Sequence, residues 1–240
     1  MITLQNLTIG FGQRVLLDNV STCFQTGQLT SLIGCNGSGK STLLKAIGGL
    51  NNKYSGEILI AGENIKNIPP RKLAETIAFV NTQRPRMANL KCKDVVALGR
   101  SPYTNWHGKL SDKDREIINS AVGLVGMEGY MNREFNSLSD GESQKIMIAR
   151  AIAQDTKVIL LDEPTSFLDL PTRYELVSLL KRLTAEQGKT IIYSTHELDI
   201  SMKFSDSIAL IDDRQLVNLP VEGMKEYIKQ KRHPFSECLP

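Results

Sequence analysis

Gly34-Cys35-Asn36-Gly37-Ser38-Gly39-Lys40-Ser41, followed by Thr42, is the stretch on which the fold turns. It satisfies the pattern GxxxxGK[ST], with the apolar pair Leu32-Ile33 before it and the run LLKAIGGL behind it. A strand that passes through a glycine turn into a helix is the context in which this pattern holds phosphate. The glycines let successive backbone N–H groups converge on phosphate oxygens, and the helix N-terminus adds its dipole. Lys40 is placed to reach the outer phosphates of a nucleotide, and the Ser41 hydroxyl to ligate Mg²⁺. A chance match in a chain of ordinary glycine content is on the order of one in a hundred, so a nucleotide site spanning Gly34 to Thr42 is the expectation.

Outward from this loop, short apolar stretches alternate with helical patterns. Strand candidates are Ile2 to Ile9, Val15 to Phe24, Leu29 to Ile33, Glu57 to Ile60, Ile77 to Val80, Val158 to Leu161, Thr190 to Ser194 and Ile208 to Ile211. Several are apolar throughout, as strands covered on both faces are. Helical patterns over Pro171 to Gln187 and Leu198 to Phe204 complete an α/β alternation, which predicts a mainly parallel sheet. Between about 84 and 152 no strand pattern is visible, and this stretch reads as a helical subdomain inserted into the core. Residues 1–240 are expected to form one domain, because the roughly 40 residues after His196 are too few for a separate regulatory domain.

Composition excludes several classes. Hydrophobic residues make up 41% and charged residues 23% of the 240, which is the profile of neither a disordered nor a disulfide-stapled chain. The net charge of +3 is too mild to drive nucleic-acid binding by itself. Cys23, Cys35, Cys92 and Cys238 form no CxxC pair, so a reduced protein without structural zinc is expected. No apolar run approaches the roughly 18 residues of a spanning helix, and MITLQNLTIGF does not read as a secretion signal.

A second chemical cluster is Val158-Ile159-Leu160-Leu161-Asp162-Glu163-Pro164, which sets two carboxylates at the end of an apolar strand. Open α/β sheets hold their ligands at such ends. Asp162 suits the Mg²⁺ shell and Glu163 the polarising of an attacking water; phosphoryl transfer needs little beyond such positioning and charge compensation. Two lookalikes carry nothing: Gly10-Phe11-Gly12 lacks the third glycine of a dinucleotide fingerprint, and His196-Glu197 has Ile200 where a zinc helix needs its second histidine.

With GCNGSGKST, then LSDGE at Leu138 to Glu142, then VILLDEP, the chain resembles the nucleotide-binding subunits of ABC transporters over essentially its whole length. The LSDGE segment discriminates, since many P-loop enzymes share the other two motifs. The resemblance implies a P-loop NTPase of the ABC ATPase type, with an N-terminal antiparallel β subdomain, a parallel core and an inserted helical subdomain carrying the signature. It implies ATP and Mg²⁺ as cofactors and a head-to-tail homodimer, each ATP lying between the P-loop of one copy and the signature of the other. Membrane-spanning permease subunits, indirectly a substrate-binding protein, and a place on the cytoplasmic face of the inner membrane follow in the same way.

Position by position, Phe11 matches the aromatic that stacks on adenine, with a core aromatic as the competing reading. Gln83 matches the glutamine that senses Mg²⁺ and water, so the implied metal set is Ser41, Gln83 and Asp162. Leu138, Ser139, Asp140, Gly141 and Glu142 match the signature, Ser139 and Gly141 being the positions that meet the γ-phosphate across the dimer. Ser166 and Asp169 match the loop that joins the two sites. His196 matches the switch histidine, completing a catalytic set of Glu163, His196 and Gln83.

There are departures too. Asp140 stands where glycine is common and Glu142 where glutamine is, and their side chains are expected to point away from phosphate. Phe167 replaces a small residue, and Cys35 lies inside the P-loop, where ATP-blocked alkylation is expected.

The segment Ala97 to Ser111, with Tyr103, the chain's one Trp at 106 and His107, is similar to the corresponding stretch in ATPases of iron-siderophore, haem and cobalamin importers. Its composition suits either a partner surface or packing inside the helical subdomain. An importer of an iron chelate or corrinoid is therefore expected, against the alternative of a soluble ABC ATPase acting on ribosomes or DNA. A switch GTPase is disfavoured, because Asn52-Lys53-Tyr54-Ser55 lacks the Asp of a guanine-reading NKxD.

Overall fold

The parity of the first apolar residues already requires an irregular strand: Ile2 and Leu4 are buried at even positions, Leu7 and Ile9 at odd ones. A computed structural model, which describes residues 1–12, 14–82, 85, 89–104 and 108–231, resolves this with a bulge. Strand β1 (Ile2–Phe11) shifts register between Leu4 and Leu7, where Asn6 takes φ +47°, and so returns its apolar side chains to one face. The neighbouring strand accommodates the bulge through Gly56, whose missing Cβ would stand 2.3 Å from the Asn6 carbonyl oxygen. Together β2 (Arg14–Phe24), β1, β4 (Tyr54–Ile60) and β5 (Glu63–Asn64) form an antiparallel sheet in that order.

The second sheet has six strands, in the order β10 (Gln215–Pro220), β9 (Ser207–Asp212), β3 (Leu29–Gly34), β8 (Thr190–Thr195), β7 (Val158–Leu161), β6 (Ile77–Val80). Pairing is parallel from β9 to β6, and β10 returns antiparallel on β9. Every residue of β3, β7 and β8 is buried; β7 is apolar throughout, while β3 and β8 also bury Thr30, Ser31, Thr190, Ser194 and Thr195. Alternate side chains divide between two cores: Ile159, Leu161, Ile191 and Tyr193 pack with the helices on one face, while Leu32, Leu160 and Ile192 pack with the antiparallel sheet on the other. Each fully buried Leu or Ile contributes about 1.5–3 kcal/mol.

Helix α1 (Lys40–Ile47) follows β3 directly, and α2 (Pro70–Thr76) precedes β6. Between β6 and β7 the described residues are helical: α3 (Cys92–Ala97), a 3₁₀ turn over Leu98–Tyr103, α4 (Asp112–Leu124) and α5 (Asp140–Ala153). Gly99 lets that turn cross α5 at contact distance, since a Cβ there would lie 2.3 Å from the Arg150 carbonyl oxygen. The end of the insertion is tied back, Arg150 Nη2 of α5 donating to Phe79 O in β6 (2.7 Å) and Gln154 Nε2, just past α5, to Ala74 O in α2 (2.6 Å). The chain closes with α6 (Leu170–Gln187), α7 (Leu198–Phe204) and α8 (Val221–Lys231).

All eight anticipated strands are present, those at Ile77 and Val158 with the anticipated ends, whereas β10 and α8 have no counterpart in the sequence reading. Strand β10 is reached through the two-residue turn Asp213-Arg214, both at positive φ (+42° and +64°), a geometry usually announced by Asn-Gly or Asp-Gly. Among the described residues no helix is long and apolar enough to cross a membrane.

Candidate functional site

The buried β3 ends at Gly34 and delivers the glycine loop to the head of α1. A Cβ on Gly34 would meet Ser38 Oγ at 2.7 Å and Ile211 O at 3.0 Å, so only glycine permits the turn at this depth. Gly37 and Gly39 lie at φ +76° and +110°, in the region that side-chain-bearing residues avoid. Lys40 is buried under the loop and donates to Gly34 O (2.7 Å) and Cys35 O (3.2 Å). Burial pulls its ammonium below the usual lysine range, against the opposing pull of the Glu163 and Asp162 carboxylates. The loop, Arg14, Leu16 and Glu163 line a cleft of about 300 Å³.

Asp162 and Glu163 leave the end of β7 in opposite environments. Asp162 is buried, and its Oδ1 accepts the hydroxyls of Ser41 and of Ser194, each at 2.8 Å. Thr82 Oγ1 donates to its backbone carbonyl at 2.9 Å, fixing the exit of β6 against that of β7. Glu163 takes φ +47° and its N–H donates to Ser194 Oγ at 2.8 Å. That backbone conformation costs about 1–2 kcal/mol for a non-glycine residue. It turns the second carboxylate out of the strand direction and toward the P-loop cleft. A hydroxyl and a carboxylate in direct contact, with oxygen the only donor atom, is the hard ligand set that suits Mg²⁺.

Ser139 caps α5 in a reciprocal box: its Oγ accepts the Glu142 N–H (3.3 Å) while Glu142 Oε2 accepts the Ser139 N–H (2.8 Å) and hydroxyl (2.9 Å). The carboxylate at 142 folds back onto the head of its own helix, because a Glu at the third helical position satisfies an orphan N–H there. The Ser139 groups, with Tyr130 behind them, hold that carboxyl below the usual carboxylate range. Gly141 presses against the Phe167 carbonyl, where a Cβ would come to 3.3 Å. Leu138, the first residue of that segment, is buried, while Ser139, Asp140, Phe167 and Asp169 are exposed. They line a second cleft, of about 480 Å³, which shares no lining residue with the P-loop cleft.

Ser166 donates to Glu163 O at 2.7 Å, and Asp169 stands at the N-cap position of α6. His196 is exposed in the short link between β8 and α7. Gln83 and Trp106 lie outside the described residues, as does the side chain of Phe11, whose backbone ends β1. Of the Ala97 to Ser111 segment, Gly99 and Arg100 are buried and Tyr103 is partly exposed under the Arg100 guanidinium, 4.1 Å from its ring centre.

Sequence reasoning passed over Ser194, Thr82, Thr165, Arg173 and Glu197. Thr165 Oγ1 donates to Glu197 Oε2 at 2.7 Å, and Arg173 donates to Glu197 Oε1 and to Leu168 O. Ser194, Thr82, Arg173 and Glu197 come from other elements than the motifs, and Thr165, two residues past Glu163, gains its role only when Glu197 is brought beside it.

The ABC transporter family model matches residues 17–166. The achromobactin transport ATP-binding protein CbrD of Dickeya dadantii is 36% identical over 89% of this chain and 79% of its own length. The iron(3+)-hydroxamate import ATP-binding protein FhuC of Bacillus subtilis is likewise 36% identical, over 85% of this chain and 76% of its own. Among solved structures, the dimeric post-hydrolysis state of the ATP-binding cassette MJ0796, bound to ADP and Pi, superposes with a TM-score of 0.80 at 30% identity, over 92% of this chain and 99% of that one.

Proposed function

On the premise that this chain belongs to the ABC transporter family and is one of its ATPases, we propose that it powers an importer of an iron chelate. The family model covers more than half of the residues, which carries the premise. Two relatives named for achromobactin and iron(3+)-hydroxamate support the substrate class, and haem or cobalamin remain within the same expectation.

The observation that carries the mechanism is the contact network at the strand ends, where Ser41 and Ser194 converge on Asp162 while the strained Glu163 faces the P-loop cleft. In the proposed cycle the glycine loop binds the phosphates, and Lys40 turns from the Gly34 and Cys35 carbonyls to the outer ones. Ser41, Asp162 and Gln83 would hold Mg²⁺, which supplies charge compensation on the phosphates. Glu163 polarises the attacking water, and His196 meets the γ-phosphate. Phe11 stacks on the adenine. Because the signature cleft is separate from the P-loop cleft within one chain, a second copy is needed to bring Ser139 and Gly141 onto the nucleotide, with Ser166 and Asp169 joining the two sites. One cassette, residues 1–240, thus supplies half of each of two sites.

Permease subunits are the proposed membrane partners, placing the protein at the cytoplasmic face. An apolar groove of about 790 Å³, lined by Leu73, Phe79, Pro85, Leu98, Pro102 and Met147, lies between α2, the 3₁₀ turn and α5 and suits a partner's helix. A substrate-binding protein would act further upstream. Affinity purification of the tagged chain from detergent-solubilised membranes tests this reading. A co-purifying multi-span protein, and uptake of a ferric chelate lost on deleting the gene, are expected. Recovery with ribosomes or DNA instead would overturn it.

A further inference from the structure

We propose that Arg173 and Glu197 are positioning residues that couple the loop carrying Asp169 to the loop carrying His196, so that the two loops move as one body during turnover. The inference rests on the reading of the chain as an ATPase in which those loops serve the reacting phosphate.

Glu197 follows His196 directly and forms the N-cap of α7. Its backbone is held on both sides: its N–H donates to Thr195 Oγ1 (3.1 Å), and its carbonyl accepts the Ser201 hydroxyl (2.8 Å). Its carboxylate, only 11% exposed, spends both oxygens on the other loop. Oε2 accepts from Thr165, two residues beyond Glu163, and Oε1 accepts from Arg173 Nη1. Arg173 in turn sends its Nε to the carbonyl of Leu168, the residue before Asp169, at 2.8 Å, and its own N–H bonds Asp169 O at 3.0 Å. A single guanidinium–carboxylate pair therefore joins both ends of the segment Thr165 to Asp169 to the backbone that orients His196.

The chemistry favours a stiff link. Charge-assisted bonds at a planar guanidinium fork fix direction as well as distance, and a lysine has no such fork. Neither residue faces the P-loop cleft, so neither is a candidate for touching nucleotide. Their separation in sequence, 24 residues, hides the pair from any motif.

A merely structural ion pair would lower the melting temperature and leave the chemistry alone. A coupling pair would lower kcat, because small misplacements of reacting groups are costly, on the order of a hundredfold per ångström. The test is steady-state ATP turnover by the full-length chain and by Arg173→Ala, Glu197→Ala and the double variant, alongside fluorescent-nucleotide binding and thermal melting. We expect each single variant to lose roughly ten- to a hundredfold in kcat with KM for ATP preserved, and the double variant to lose no more than the worse single one. Glu197→Gln, which keeps the size and one acceptor, should fall between wild type and Glu197→Ala and serves if the alanine variants misfold. Normal kcat in folded variants, or losses that add in the double variant, overturns the coupling. Wild-type turnover abolished by Glu163→Gln, combined with normal kcat at 173 and 197, sinks the coupling alone; no turnover in the wild type sinks the ATPase reading as well.

Discussion

At the scale of single residues, the Ser194 hydroxyl does two jobs at once, accepting from the Glu163 N–H and donating to Asp162 Oδ1. It stands at the end of β8 and is fully buried. Ser194→Ala should destabilise the fold by about 1–3 kcal/mol, the usual cost of stranding a buried polar group, and should also lower turnover by releasing Glu163 from its strained conformation; urea unfolding and ATPase assays check both. Lys40→Ala should weaken nucleotide binding itself, read by fluorescent-nucleotide titration, because the ammonium beneath the loop is lost. Cys35 is exposed, so iodoacetamide should modify it and ATP should protect it, as peptide mapping would show. Lys40, Ser41, Asp162 and Glu163 were legible in the sequence because each stands in a contiguous pattern. Ser194 was not, since its hydroxyl matters only once β8 lies beside β7, 32 residues away in the chain.

At the scale of elements, the helical insertion depends on a buried pair. Arg100 Nε and Asp114 Oδ1 meet at 2.8 Å, and Arg100 Nη1 also reaches the carbonyl of Ala153 at the end of α5. The amide and hydroxyl of Ser111, with Arg100 beside them, hold the Asp114 carboxyl well below its ordinary 3.8, at about 2. A carboxyl depressed in the folded state stabilises it fully above pH 4 or so, and this contribution fades as the pH falls from there toward 2. Acid titration followed by circular dichroism should therefore show wild type losing stability across that window, while Asp114→Asn starts less stable and changes less. Most elements were legible from apolar runs and glycine punctuation. The hairpin to β10 was not, because Asp213-Arg214 adopts positive φ without glycine or asparagine and the pairing with β9 supplies the compensation.

At the scale of the whole molecule, the net charge is +3 and no helix among the described residues is long and apolar enough to cross a membrane. Among the described residues the P-loop cleft and the signature cleft have no lining residue in common, so in the proposed cycle a single copy would leave a nucleotide half-enclosed. The class of substrate was suggested by the resemblance of the Ala97 to Ser111 segment and is supported by relatives named for achromobactin and iron(3+)-hydroxamate, whereas no motif names the individual substrate. In the proposed cycle two copies close on ATP, and hydrolysis assisted by Glu163 opens them again. Light scattering of Glu163→Gln with and without MgATP tests it most directly. The expected result is a monomer that becomes a stable dimer on adding MgATP, with turnover lowered about a hundredfold or more. A variant that stays monomeric with bound ATP, or that turns over at the wild-type rate, would contradict it.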